Sequence, residues 1–141
     1  MTAAGLAVLV VDDNAECLAS CRHWLEHQPE VGLVACVRSG EDALLWTDRV
    51  RPDVVLMEIG MPGLGGLETT RILKAQPRAP HVVLMSFWDS SVERGEAARV
   101  GADGFVCKPD ITRELQPVLQ RLVAARATVP GAPARPHRPN A

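Results

Sequence analysis

The chain has 141 residues, of which 47% are hydrophobic and 23% charged, and this composition fits one globular domain with a buried core. Its formal net charge is −2, so it lacks the strongly positive field that attracts nucleic acids or anionic membranes. Asp12 and Asp13 end the apolar N-terminal stretch far short of a membrane span, and no basic segment precedes it. We therefore expect a cytoplasmic domain that neither enters a membrane nor binds nucleic acid directly. Its four cysteines lack Cys-x-x-Cys spacing and are expected to be free thiols.

Short apolar runs alternate with segments of helical length along the chain. Most runs are rich in Val and Leu without polar alternation, which is typical of parallel strands covered on both faces. The predicted strands are residues 6–11, 31–37, 54–57, 82–85 and 104–107. The predicted helices are residues 14–28, 39–50, 66–76, 91–100 and 111–126. This alternation predicts right-handed crossovers and a doubly wound parallel α/β sheet.

Helix ends are also marked in the sequence. Asp13 or Asn14 is a candidate N-cap for the first helix, and Ser39 with Asp42 three residues later resembles a capping box. Pro117 interrupts the last helical pattern, which predicts either a kink or a helix that starts late.

The C-terminal segment differs in composition from the rest of the chain. From Val129 it reads VPGAPARPHRPNA, with four prolines and few apolar side chains. Such a segment has little apolar surface to bury. We expect residues 1–126 to form the domain and residues 127–141 to form a flexible tail.

Polar side chains collect at the carboxyl ends of four predicted strands. Asp12 and Asp13 follow the first strand, Glu58 and Ser86 follow the third and fourth, and Lys108 follows the fifth. In an open α/β sheet this edge is where ligands bind. Carboxylate oxygens suit Mg²⁺, and a metal, a hydroxyl and an ammonium could together hold a phosphoryl group in transfer. The alternative is that the acids cap helices and that Lys108 is an ordinary surface lysine.

Four segments, VLVVDDN, RPDVVLMEIGMPGLGGLE, VVLMS and GADGFVCKP, occur in that order. Together they resemble the receiver domain of two-component response regulators over about residues 6–125. The resemblance implies a flavodoxin-like sheet of five parallel strands in the order 2-1-3-4-5, with helices on both faces. It also implies a histidine kinase or another signalling protein as partner, and a homodimer face within residues 91–126. The motifs look most like receivers that precede a DNA-binding domain, but no output domain follows in this sequence.

The same resemblance assigns a role to each polar residue at the sheet edge. It implies that Asp12, Asp13, Glu58 and the backbone carbonyl of Gly60 hold Mg²⁺.

Further roles concern the switch. The resemblance implies that Ser86 senses the phosphoryl group, that Lys108 is its ion-pair partner, and that Phe105 changes rotamer on activation. It also implies a cis peptide bond before Pro109.

Glu58 departs from the family, which has the phosphate-accepting aspartate at this position. The extra methylene displaces the carboxylate, and a displacement of ~1 Å can lower the rate of in-line transfer about a hundredfold. We therefore expect weak or absent phosphorylation, whether the glutamate is natural or an engineered replacement. The longer side chain could imitate the phosphorylated state, or it could pair with Lys108 and lock the resting state.

Phe87 is a second departure, because the family generally has a small residue after the switch hydroxyl. Its ring either closes access to the acceptor or simply packs, with Trp88, under the following helix.

Two other functions stay open from the sequence: a Mg²⁺-dependent phosphatase or phosphotransferase, and a scaffold that binds neither metal nor phosphate.

Overall fold

The fold is a five-stranded parallel sheet with helices on both faces, seen in a computed structural model that describes residues 5–128. The strands are β1 (Leu6–Val11), β2 (Val31–Val37), β3 (Val54–Glu58), β4 (His81–Ser86) and β5 (Gly104–Cys107). The helices are α1 (Ala15–Glu26), α2 (Gly40–Val50), α3 (Gly66–Lys74), α4 (Ser91–Arg99) and α5 (Ile111–Thr128). The strand order β2-β1-β3-β4-β5 confirms the predicted flavodoxin-like topology.

Two apolar cores lie on opposite faces of the sheet. Every residue of β1 and β3 is buried, which explains why these strands show no polar alternation. Successive residues of β1 point to opposite faces. Val8 and Val10 belong to the core under α1 and α5, whereas Leu9 and Val11 belong to the core under α2, α3 and α4. The two cores fix the strands, and with them the positions of the side chains that follow each strand.

Side-chain caps begin the first two helices. The side chain of Asn14 accepts a hydrogen bond from the Cys17 N–H at 2.9 Å, so Asn14 is the N-cap of α1. Ser39 Oγ accepts from the Asp42 N–H at 3.0 Å at the start of α2, as its spacing predicted.

Two expectations for the segment after β5 are wrong. The described residues contain no cis peptide bond, so the expected cis bond before Pro109 is absent. Lys108–Asp110 instead form a 3-10 turn, in which the fixed φ of proline is tolerated. Helix α5 begins at Ile111 and continues through Pro117, which contradicts a late start. A kink at Pro117 stays a prediction.

The predicted tail lies mostly outside the described residues. Helix α5 reaches Thr128, and residues 129–141 are not described. The division into a domain and a flexible tail therefore stays a prediction. None of the helices within residues 5–128 is long and apolar enough to cross a membrane. The four cysteines are free thiols.

Candidate functional site

Three charged side chains from separate strands meet at the carboxyl edge of the sheet. Asp12 follows β1, Glu58 ends β3 and Lys108 follows β5. Lys108 Nζ lies 2.5 Å from Asp12 Oδ2, and it also pairs with Glu58 Oε1. The long lysine side chain thus reaches across the intervening strand β4 to join both acids.

This cluster is almost fully shielded from solvent. The side chains of Asp12, Glu58 and Lys108 are 2%, 11% and 8% exposed. Burial disfavours the charged lysine, but hydrogen bonds to Asp12 and Glu58 outweigh it and raise the pKa of Lys108 above its ordinary value. Lys108 is therefore an ammonium at neutral pH and serves as the counter-ion for both carboxylates.

Backbone N–H groups hold the remaining oxygens of both carboxylates. Glu58 Oε2 accepts from the Gly60 N–H at 2.8 Å, so the glutamate side chain is held by the loop that follows its own strand. Asp12 Oδ1 accepts from the Asn14 N–H at 2.9 Å. Each carboxylate is thus fixed between one backbone donor and the lysine, and neither is free to reorient without losing a charge-assisted hydrogen bond.

The predicted metal ligands are only partly brought together. Among residues 5–128, no group of three His, Cys, Asp or Glu side chains is arranged to hold a metal ion. Asp13 is half-buried beside Asp12, and its backbone carbonyl accepts from Arg38 Nη2 at 2.9 Å. The donor chemistry nevertheless fits Mg²⁺, which prefers carboxylate and carbonyl oxygens. The carboxylates of Asp12, Asp13 and Glu58 outnumber the two neighbouring cations, Lys108 and Arg38, so the cluster keeps a net negative charge that a bound cation would offset.

Ser86 is not part of this charged cluster. The buried hydroxyl donates to Glu93 Oε1 at 2.8 Å and accepts from the Trp88 N–H at 3.1 Å. Its partner is therefore the first turn of α4, and not Glu58 or Lys108. Glu93 was missed from the sequence, although the Ser90-x-x-Glu93 spacing marks the start of α4. Ser90 Oγ does accept from the Glu93 N–H at 3.1 Å, but the glutamate side chain bonds Ser86.

Phe105 lies on the face of the sheet that α4 covers. It is half-buried and packs against the core under α2, α3 and α4. The guanidinium carbon of Arg94 lies 4.7 Å from the centre of its ring, and Arg94 Nε lies 2.5 Å from Asp89 Oδ1. An ion-paired arginine therefore covers the aromatic side chain, a contact that the sequence did not indicate.

Phe87 lies over Lys108 at the opening of the site. The centre of its ring is 4.8 Å from Lys108 Nζ. Phe87 is 54% exposed and Trp88 is 71% exposed, which contradicts the interpretation that both rings simply pack under α4. The ring instead covers one side of the ammonium and narrows access to it.

A family model for the response regulator receiver domain matches residues 8–120, which is most of the chain. The chain belongs to the response regulator receiver family. Receiver domains bind Mg²⁺ and interact with histidine kinases or other signalling proteins as a class. The fold and the sequence motifs of this chain thus indicate the same family.

Solved receiver structures share the fold closely. The chemotaxis protein CheY4 of Vibrio cholerae is 26% identical with a TM-score of 0.77, and the match covers 84% of this chain and 99% of that one. The response regulator domain of CheB from Thermotoga maritima is 28% identical with a TM-score of 0.73, covering 89% of this chain and 99% of that domain.

Curated relatives are longer than this receiver. The protein-glutamate methylesterase/protein-glutamine glutaminase of Halalkalibacterium halodurans is 31% identical over 134 residues, which are 93% of this chain and 39% of the relative. The protein of the same name from Nitrobacter winogradskyi is 33% identical, over 78% of this chain and 26% of its own length. The chain therefore spans between a quarter and two fifths of these relatives.

Proposed function

We propose that this chain is a receiver module of two-component or phosphorelay signalling in which Glu58 occupies the phosphoacceptor position and phosphorylation is weak or absent. The observation that carries the proposal is the pairing of Glu58 Oε1 with Lys108 while Oε2 accepts from the Gly60 N–H. Both carboxylate oxygens are thus engaged in a cluster that is shielded from water. An attacking oxygen would first have to leave one of these partners.

The geometry of transfer strengthens this expectation. Glutamate carries its carboxylate one methylene further from the backbone than the aspartate of the family, and a misplacement of ~1 Å can cost about a hundredfold in rate. Phe87 adds a second obstacle, because its ring lies over Lys108 at the opening. Both features lower the rate of phosphoryl transfer without disturbing the fold.

We propose further that Glu58 holds the resting state and does not imitate phosphorylation. By resemblance to the family, Ser86 is the hydroxyl that responds to a phosphoryl group. In this structure the Ser86 hydroxyl donates to Glu93, so the carboxylate of Glu58 does not recruit it. A phosphomimetic side chain would be expected to attract Ser86, and with it α4.

Mg²⁺ is the cofactor we propose for the site. Asp12, Asp13, Glu58 and the carbonyl of Gly60 would hold the ion, which supplies charge neutralisation for the acids and for any bound phosphoryl group. The residual charge of the acidic cluster supports this assignment. Lys108 would keep its role as the counter-ion of Glu58.

Partner binding is proposed for the surface around α4. Trp88 and Val92 are 71% and 69% exposed, and clustered exposed apolar side chains often mark protein contacts. The partner would be a histidine kinase or another signalling protein, with a homodimer through residues 91–126 as a further form. We propose no direct contact with nucleic acid, because the formal net charge is −2, and no enzymatic turnover, because the chain matches only 39% and 26% of the two methylesterase relatives.

The test compares the protein with Glu58→Asp during titration with Mg²⁺ and then beryllofluoride. Trp88 reports on the switch, because its backbone N–H bonds Ser86 Oγ at 3.1 Å. We expect Mg²⁺ to change the fluorescence of both proteins and beryllofluoride to change that of Glu58→Asp only. Glu68→Asp on α3 is the matched control, because it shortens an exposed glutamate that pairs with Arg71. It should behave like the unmodified protein.

Two outcomes would contradict the proposal. Equal beryllofluoride responses in the protein and in Glu58→Asp would show that the extra methylene does not matter. No response in Glu58→Asp, together with a response in Phe87→Ala, which retains Glu58, would show that Phe87 and not Glu58 blocks the site.

A further inference from the structure

A cavity of about 420 Å³ opens between α1 and the N-terminal half of α5, beside the charged cluster. This volume is within the range of sites that bind small organic molecules. Asp12, Lys108 and Phe87 line the cavity, so its contents would touch Lys108, the ion-pair partner of Glu58. The acidic edge of the sheet is therefore one side of a larger site that the receiver assignment does not explain.

The walls of the cavity away from these three residues are largely apolar. Met85 and Leu115 are almost completely buried, and Trp24 and Ile111 pack against the same core. Cys21 adds a neutral thiol, because burial, with smaller effects of Cys36 and Asp12, raises its pKa to about 12. Trp24 and Phe87 supply aromatic surfaces, which favour a flat, unsaturated occupant.

The polar groups of the cavity determine which occupant can be stabilised. An ammonium has three N–H donors. In the described part of the chain, Asp12 and Glu58 pair with Lys108 and the centre of the Phe87 ring lies 4.8 Å from Nζ, so an acceptor placed in the cavity would share the third N–H with that ring. The charged residues that line the cavity are Asp12, Glu16 and Lys108. The two carboxylates repel an anion, and the ammonium of Lys108 repels a cation placed next to it, so a neutral occupant is favoured.

We propose that this cavity binds a small, neutral, aromatic molecule that carries a hydrogen-bond acceptor such as a carbonyl oxygen. Its rings lie between α1 and α5 against Trp24, and its acceptor receives the third N–H of Lys108. Binding there links the presence of the molecule to the Lys108–Glu58 pair, and so to the state of the receiver. The proposal does not depend on whether Glu58 can be phosphorylated.

The test uses two probes of similar size, 2-acetylnaphthalene and 2-ethylnaphthalene, which differ by the carbonyl oxygen. The indole N–H signals of the ¹⁵N-labelled protein separate the sites, because Trp24 lines the cavity whereas Trp46 does not. We expect a saturable shift of the Trp24 signal and none at Trp46. We expect 2-acetylnaphthalene to bind about two- to tenfold more tightly, the effect of one added hydrogen bond.

Filling the cavity provides the matched control. Cys17→Phe places a ring in the cavity from α1, whereas Ala19→Phe places the same ring on an exposed position of α1 outside it. We expect Cys17→Phe to abolish probe binding and Ala19→Phe to retain it, with both variants showing the circular dichroism of the folded protein. If Cys17→Phe does not fold, Thr112→Phe fills the cavity from the opposite wall.

Four results would overturn the proposal. The first is the absence of a saturable Trp24 shift with either probe. The second is undiminished binding in a folded cavity-filling variant. The third is equal affinity for the two probes, which would show that no hydrogen-bond acceptor is held in the cavity. The fourth is a change of molecular mass in sedimentation on Cys17→Phe but not on Ala19→Phe, which would assign the cavity to a second copy of this chain.

Discussion

Replacing Lys108 by methionine tests whether the charged cluster is held together by its one cation. Methionine keeps most of the side-chain volume, so the main change is electrostatic. Asp12 and Glu58 would each lose one of two polar partners and keep one backbone N–H bond. Their side chains are 2% and 11% exposed, so water does not readily replace the ammonium.

The expected loss of stability in Lys108→Met follows from these contacts. Removing one partner of a buried ion pair costs about 3–5 kcal/mol, because the other charge is left buried and unpaired. We expect the free energy of unfolding of Lys108→Met to fall by about this amount, a large share of the ~5–15 kcal/mol typical of a domain. Urea unfolding followed by circular dichroism at neutral pH measures the difference.

A matched lysine provides the control. Lys74 pairs with Asp103 at 2.7 Å, but these side chains are 22% and 29% exposed. The free energy of unfolding of Lys74→Met should therefore fall by much less, about 1 kcal/mol, as expected for a partly solvated ion pair. Adding Glu58→Gln to Lys108→Met should restore part of the stability, since one of the two unpaired charges is removed. A loss of stability below about 1 kcal/mol for Lys108→Met, no larger than that of the control, would show that the ammonium does not hold the cluster together.

The stability difference between the protein and Lys108→Met should depend on pH in a defined direction. The pKa of Lys108 is raised in the folded protein, because its bonds to Asp12 and Glu58 outweigh the opposing effect of burial. A raised pKa gives a stabilising contribution that is complete below the unfolded pKa of about 10.4 and is lost as the pH rises through the folded value. The stability gap between the protein and Lys108→Met should therefore stay constant from neutral pH to about pH 10 and narrow only above it.

Two further predictions concern the turn after β3 and the contact between β4 and α4. A Cβ at Gly66 would lie 2.1 Å from the Glu58 carbonyl oxygen, so Gly66→Ala should destabilise the domain by more than about 2 kcal/mol in urea unfolding. Gly95→Ala in α4, where a Cβ meets nothing within 4 Å, should stabilise it by up to about 1 kcal/mol, and equal effects at the two glycines would contradict this interpretation of the turn. In the Glu58→Asp background, Glu93→Ala should tighten the apparent binding of beryllofluoride several-fold, because the Ser86 hydroxyl no longer has to leave Glu93. An unchanged midpoint in the fluorescence titration would show that this bond does not restrain the switch.

The sheet could be predicted from the sequence because the pattern that marks each strand is local and recurs along the chain. Strand β1 is an unbroken apolar run that ends in Asp12, and the same pattern of a run followed by a polar residue recurs at Glu58 and Ser86. Once parallel strands are inferred, their carboxyl ends must share one edge. The meeting of Asp12, Glu58 and Lys108 follows from topology and from the length of a lysine side chain.

The direction of individual side chains could not be predicted in the same way. Ser86 lies at the expected edge, yet its hydroxyl bonds Glu93, because a carboxylate on the next helix is a better acceptor than any neutral group nearby. Residue spacing alone also does not reveal the trans bond before Pro109 or the 3-10 turn over Lys108–Asp110. The cavity between α1 and α5 depends on how two helices that are distant in sequence pack together, and no periodicity in either helix encodes it.

We propose that Glu58, held by Lys108 and the Gly60 N–H, is a poor phosphoryl acceptor. The most direct test is the initial rate of phosphorylation by phosphoramidate with saturating Mg²⁺, followed by the intact mass of the protein and of Glu58→Asp. We predict the mass increase of one phosphoryl group in Glu58→Asp, at a rate at least about a hundredfold above that of the unmodified protein. Phosphorylation of Glu58 at a rate equal to that of the aspartate variant would contradict the account.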